Sequence, residues 1–155
     1  MANQPVADAD ALDRDVRLFV FGQAADTARI PIPTEIAAGL GRSQTEVEES
    51  LRRLAAGRVL TFAPNSLNIW AANPFCAVPT NFRVEALGHT YWGICILDAL
   101  GIPAALDADA TVAALCGDCN DEIVLEIKGG QLATGDGTVH FGVPAAKWWE
   151  NIGFT

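Results

Sequence analysis

Apolar positions recur at helical spacing through the first third of the chain. Leu12, Val16, Phe19 and Val20 lie three or four residues apart, which predicts a helix capped by Asp8 or Asp10 after a disordered tail over residues 1–6. Ile30-Pro31-Ile32-Pro33 reads as extended. Thr34 then reads as the cap of a short helix over 35–38, interrupted by Gly39. Ser43-Gln44-Thr45-Glu46 is a capping box, and it opens a helix with Val47, Leu51 and Leu54 inward and Gly57 as the stop. Beyond it the period changes. Residues 58–62 and 67–70 read as strands joined by the turn Ala63-Pro64-Asn65-Ser66. Ala71-Ala72-Asn73-Pro74 reads as a junction, and 75–79 as an apolar connector.

The second half alternates strands with one helix. A strand is expected over 81–86. A helix is expected over 91–100, closed by Gly101 and Pro103. Residues 110–115 and 123–127 read as strands flanking Cys116-Gly117-Asp118-Cys119, and Lys128-Gly129-Gly130 as a turn. A last strand is expected over 138–142, before a short helix begun by Pro144 and carrying Trp148 and Trp149. The fold class expected is α+β. A helical lobe over residues 1–72 precedes a small mixed α/β core over 73–155. Three helices and a hairpin in this order resemble a winged helix-turn-helix.

Composition narrows the function. The chain has 155 residues, half of them apolar, enough for one sizeable core or two small lobes. Ten Lys and Arg stand against 19 Asp and Glu, for a formal charge of -9. That balance argues against a phosphate-binding surface, and most of the excess lies after residue 72. A DNA-reading role for the winged lobe is disfavoured further. Glu46, Glu48 and Glu49 crowd the start of its recognition helix, although Arg52, Arg53 and Arg58 follow. No apolar run reaches the roughly 20 residues of a membrane span, and the N-terminus lacks the features of a signal peptide. The expectation is a soluble cytoplasmic protein. There, four cysteines, all after residue 72, point to free thiols, metal ligation or catalysis rather than to disulfides.

Candidate chemistry centres on Cys95 and Asp98. On a helix their spacing puts both side chains on one face. A thiolate is a nucleophile and a soft-metal ligand, and a neighbouring carboxyl can carry the proton that a leaving carbanion needs. The plainer reading is a core cysteine beside an aspartate bonded to backbone. Cys116-x-x-Cys119 reads as half a zinc site, a redox pair or simply a turn. His89 and His140 are isolated. Asp136-Gly137 reads as a turn, Cys76 as a small buried residue, and Tyr91, Trp92, Trp148 and Trp149 as core or pocket wall.

Three stretches carry a resemblance. They are Asn73-Pro74-Phe75-Cys76-Ala77-Val78-Pro79-Thr80, the run from Tyr91 to Ala104 with Cys95 and Asp98, and Val139-His140-Phe141 followed by Trp148-Trp149. Together they resemble the alkylmercury (organomercurial) lyase family over residues 73–155. The family's winged-helix-like leading domain also suits residues 1–72. The resemblance implies protonolysis of a carbon–mercury bond. Cys95 matches the first catalytic cysteine, Asp98 the aspartate of proton transfer and metal holding, and Cys116 a structural cysteine. Asp136 stands where the family's second catalytic cysteine is expected, and no cysteine follows Cys119. The metal-holding set implied is therefore Cys95, Asp98, Asp136 and Cys119, with Cys76 or a small-molecule thiol as other sources of sulfur.

The resemblance implies no required cofactor, mercury being substrate and product ion. The partners implied are a small organometallic substrate and a thiol or metal-accepting reductase. The alternative is a non-catalytic protein that binds or senses mercury or copper. The family continues past the point where this chain stops, so a short relative or a missing terminal segment is expected.

Overall fold

A computed structural model describes residues 4–152. The contacts divide the chain into two compact units, Met1–Val78 and Pro79–Thr155.

The first unit begins with three helices. α1 (Gln4–Thr27) starts ahead of the expected caps at Asp8 and Asp10, so Gln4, Pro5 and Val6 are helical; the rest of the expected tail lies outside the described residues. Val16, Val20 and Ala24, one turn apart, are fully buried along it. α2 (Pro33–Leu40) begins one residue before Thr34, with Ile32 as its cap. The Pro33 ring suits a first helical turn, whose N–H groups have no intrahelical partner. Gly39 lies inside α2 and does not end it. A methyl group there would meet the ring of Phe19, so the glycine is a packing choice. The helix stops at Gly41, which takes the left-handed conformation.

α3 (Gln44–Ala56) opens on the expected capping box. Ser43 Oγ accepts from Glu46 N–H, and Glu46 Oε2 accepts from Ser43 N–H at 3.0 Å. Val47, Leu51 and Leu54 are buried, as their spacing requires. Arg53 ties α3 to α1 through a paired bond to the Asp13 carboxylate, 2.7 Å at its shortest. Arg52 pairs with Glu48. Arg52 and Arg53, both weighed for a nucleic-acid surface, are thus engaged within the lobe.

The hairpin follows as β1 (Thr61–Phe62) and β2 (Ile69–Ala72), antiparallel. A third strand, β3 (Phe75–Cys76), replaces the expected connector. Ala72 pairs with Phe75 and Ala71 with Cys76, across a turn that holds a cis Asn73–Pro74 bond. That pairing draws residues 73–78 into the first unit, so the division falls at Val78 and Pro79 rather than after Ala72.

The second unit is a five-stranded antiparallel sheet with one helix. Its strands are β4 (Phe82–Ala86), β5 (His89–Trp92), β6 (Ala110–Leu115), β7 (Glu122–Lys128) and β8 (Gln131–Thr134), in the order β5-β4-β6-β7-β8. α4 (Ile96–Leu106) links β5 to β6 and packs on β4 and β6. Alternation explains the layering. Tyr91, Val84, Val112 and Leu125 stand in register across four strands and are buried, as are Ala99 and Ile102 of α4. The opposite face carries Arg83, Glu85, Thr90, Thr111 and Glu126; Thr90 donates to Glu85 at 2.9 Å.

Three expectations fail here. Residues 91 and 92 belong to a strand, because Leu87 and Gly88 form a two-residue turn with positive φ and return the chain onto β4. Gly101 and Pro103 lie inside α4, which runs on until Asp107 turns left-handed at φ 48°. The strand expected over 138–142 is irregular. The Gly129-Gly130 turn, with both residues at positive φ, brings the chain straight back along β7, so 131–134 take the edge position instead. The short helix after Pro144 is present as a 3-10 helix over Ala145–Glu150, with Trp148 against Phe141.

Candidate active site at the start of α4

Cys95 is the N-cap of α4, and Asp98 is the third residue of that helix. The pair therefore faces together for a different reason from the one spacing suggested. An N-cap side chain and the residue three positions on sit over the same unpaired N–H groups, the arrangement a capping box uses. Cys95 Sγ donates to Asp98 Oδ2 at 3.5 Å, and both side chains are half-buried.

Burial pushes the Cys95 thiol above its ordinary pKa. The backbone N–H groups of Asp98 and Leu97 pull it down, but the Asp98 carboxylate beside it pushes it up again. The resting form is a neutral thiol hydrogen-bonded to a carboxylate. Asp98→Asn removes the negative neighbour and leaves burial in place, so the alkylation midpoint of Cys95 is expected to move to lower pH. A pH series of iodoacetamide labelling at Cys95 measures it, and an upward or absent shift contradicts this electrostatic account.

The loop before α4 is held from three directions. Gly93 N–H donates to Phe82 C=O at 2.9 Å, Thr80 Oγ1 donates to Gly93 C=O at 2.6 Å, and the same hydroxyl accepts from Phe82 N–H. A Cβ on Gly93 would stand 2.7 Å from Ala99 N and 3.1 Å from Cys95 O. Gly93 is there because the backbone passes directly under the first turn of α4. Sequence reasoning singled out neither Thr80 nor Gly93 as a positioning residue. The one available signal was a glycine between a β-like aromatic pair and the candidate nucleophile.

The other candidates divide by place. Cys119 donates to Asp121 Oδ2 at 3.2 Å and lies beside Cys116, at the tip of the β6–β7 hairpin. Backbone N–H groups of Cys119 and Asp118, then the Cys119 side chain, hold the Cys116 thiol below its ordinary pKa. Although the Asp121 N–H pulls on Cys119, the side chains of Asp121 and Cys116 leave its thiol raised. Asp136 is exposed in the irregular segment after β8, next to Gly135, whose backbone lies against Val124 O. His140 is exposed, and Cys76 is buried in β3 of the first unit.

Among the described residues, no group of three or more His, Cys, Asp or Glu is arranged to hold a metal ion. Cys95 and Asp98 thus form a pair, not the four-donor set with Asp136 and Cys119. An open depression of about 310 Å³ lies at the other end of the sheet, lined by Gly88, His89, Asp109 and Lys128, and contains none of the cysteines.

The segment that holds this pair matches a known family. The alkylmercury lyase family model matches residues 75–155, more than half of the chain. This chain belongs to the alkylmercury lyase family. It is also similar to a solved structure described as the mercury-bound form of MerB2, with a TM-score of 0.63 and 19% identity. The match covers 79% of this chain and 58% of that one, so the chain spans a little over half the length of that relative. At that identity the likeness is one of fold: helices first, then a sheet core. None of the curated proteins matches the chain. Among the described residues, no helix is long and apolar enough to cross a membrane.

Proposed function

We propose that this alkylmercury lyase family member cleaves carbon–mercury bonds by protonolysis, with Cys95 as nucleophile and metal ligand and Asp98 as proton carrier. The observation that carries this reading is the 3.5 Å contact from Cys95 Sγ to Asp98 Oδ2, inside the family-matched segment. An organomercury cation captured by the sulfur displaces the thiol proton, and the carboxylate already accepting that hydrogen bond receives it. Asp98 then delivers the proton to carbon. The electron pair of the C–Hg bond becomes the C–H bond, the hydrocarbon leaves, and mercury(II) stays on the Cys95 thiolate and the Asp98 carboxylate.

Because Asp136 stands where a second thiol is expected, a small-molecule thiol completes the coordination. A thiol or metal-accepting reductase then removes the ion. No cofactor is consumed. In this reading the activity serves detoxification in the cytoplasm.

The test is incubation with an arylmercury salt and excess thiol while arene release is followed. Release above a Cys95→Ser control is expected, and none above it overturns the reading. A second reading, soft-metal binding or sensing without cleavage, is favoured by the two-donor character of the site. It predicts one mercury ion per chain whose retention needs Cys95, beyond any ion held elsewhere on the chain, with no arene.

A further inference from the structure

We propose that the Cys116–Cys119 hairpin tip is a second metal site, holding one thiophilic cation of the mercury(II) class between its two sulfurs. The tip is a closed turn. Cys116 N–H donates to Asp121 C=O at 2.8 Å, and Asn120 N–H donates to Cys116 C=O at 2.9 Å. Asn120 takes φ 62°, which lets the chain curl back around the first cysteine. That curl directs the backbone N–H groups of Asp118 and Cys119 at the Cys116 sulfur, and the Asp121 N–H at the Cys119 sulfur. Converging backbone donors stabilise negative charge on the group they surround, and they orient a ligand before the metal arrives. Neither cysteine is in a disulfide, and Cys119 is exposed. An ion can reach the sulfurs without opening the core.

The donor count selects the ion. A closed zinc site needs four ligands, and no group of three is arranged for a metal among the described residues. Two thiolates suit a soft cation content with two ligands. Binding exchanges two S–H bonds for two S–metal bonds and releases two protons, with no electron transfer.

The place of the tip in the sheet adds a use. Gly93 bonds to Phe82, Phe82 is in register with Ala114, and Ala114 with Ile123. Cys95 follows Gly93 by two residues, and Cys116 follows Ala114 by two. Both therefore leave the same end of the sheet, from strands two spacings apart, about 10 Å. Only this use, an acceptor on the same chain for the ion left at Cys95, rests on the proposed cleavage; the binding does not.

The experiment uses the reduced full chain carrying Cys95→Ser, in which cleavage plays no part. It is loaded with mercury(II) chloride, exposed to a 100-fold excess of a monothiol, desalted and assayed for bound mercury. One ion per chain is expected to remain. Adding Cys116→Ser or Cys119→Ser is expected to lower retention at least tenfold. Loss of retention on Cys95→Ser alone, or undiminished retention in the Cys116→Ser/Cys119→Ser protein, overturns the proposal. Should a serine variant fail to fold by circular dichroism, iodoacetamide-blocked Cys95→Ser protein replaces it; retention after blocking of the tip cysteines likewise overturns the proposal.

Discussion

In Asp98→Asn protein, arene release is expected to fall by about 10²–10⁴-fold, the usual scale for losing a positioned proton donor, while capture of the organomercurial at Cys95 is as fast as before or faster. The two effects have opposite signs for one reason. Asparagine fills the same space three residues beyond Cys95 but carries no transferable proton, so the C–Hg bond has no local acid. The same change removes the carboxylate that raises the Cys95 thiol, while the backbone N–H groups of Leu97 and Asp98 still favour the thiolate. Rapid mixing separates the steps. Loss of free thiol reports capture, and arene appearance reports cleavage. Parallel loss of both would mean that Asp98 acts only by holding the start of α4, and the proton role would be withdrawn.

How far the sequence could be read depended on whether the deciding interaction was local. The Ser43–Glu46 capping box and the inward row Val47, Leu51 and Leu54 are local and were legible. So were β6 and β7, read as strands on either side of Cys116-Gly117-Asp118-Cys119. The helix expected over 91–100 is present from Ile96 onward; its start was set five residues too early because a nearly continuous apolar run has little period to read. What makes Tyr91 and Trp92 a strand is the Leu87-Gly88 turn, where a leucine at φ 52° gives no turn signal. Pro103 misled in the same region. A single proline removes one hydrogen bond, and here its ring is buried in a helix that continues for three more residues.

The site was legible in part for a comparable reason. A spacing of three joins residues on one helix face, and it also joins an N-cap to the third helical residue. Cys95 and Asp98 therefore meet although the first of them is not in the helix. Cysteine is not a common cap, so its position could not be foreseen. Cys119 was grouped with Cys95, but Asp121, two residues on, accepts from its thiol within the hairpin. The conformation around Asp136 is fixed by tertiary packing. Gly135 at φ 92° fits against the Val124 carbonyl, where no side chain has room.

Gly93→Ala is expected to cost about 1–3 kcal/mol, the range for forcing a methyl group into a packed site, and to impair cleavage by more than that loss of stability explains. The new Cβ would press on Ala99 N and on Cys95 O. Those two atoms make the first hydrogen bond of α4, at 3.0 Å. Backbone cannot swing aside as a long side chain does. Nor can residue 93 retreat, because Phe82 C=O holds its N–H and the Thr80 hydroxyl holds its carbonyl. The strain must move the helix start, and Cys95 and Asp98 move with it. A displacement of about 1 Å in a reacting group can cost on the order of 10²-fold in rate. Gly22→Ala is the control. It lies in α1 with nothing near its missing Cβ, so it is expected to leave stability unchanged or raise it by up to about 1 kcal/mol. Denaturant melts give the stability of both variants, and arene release measured where each is fully folded gives the activity. Gly93→Ala protein that melts like wild type and cleaves like wild type would show that this close approach does not position the pair.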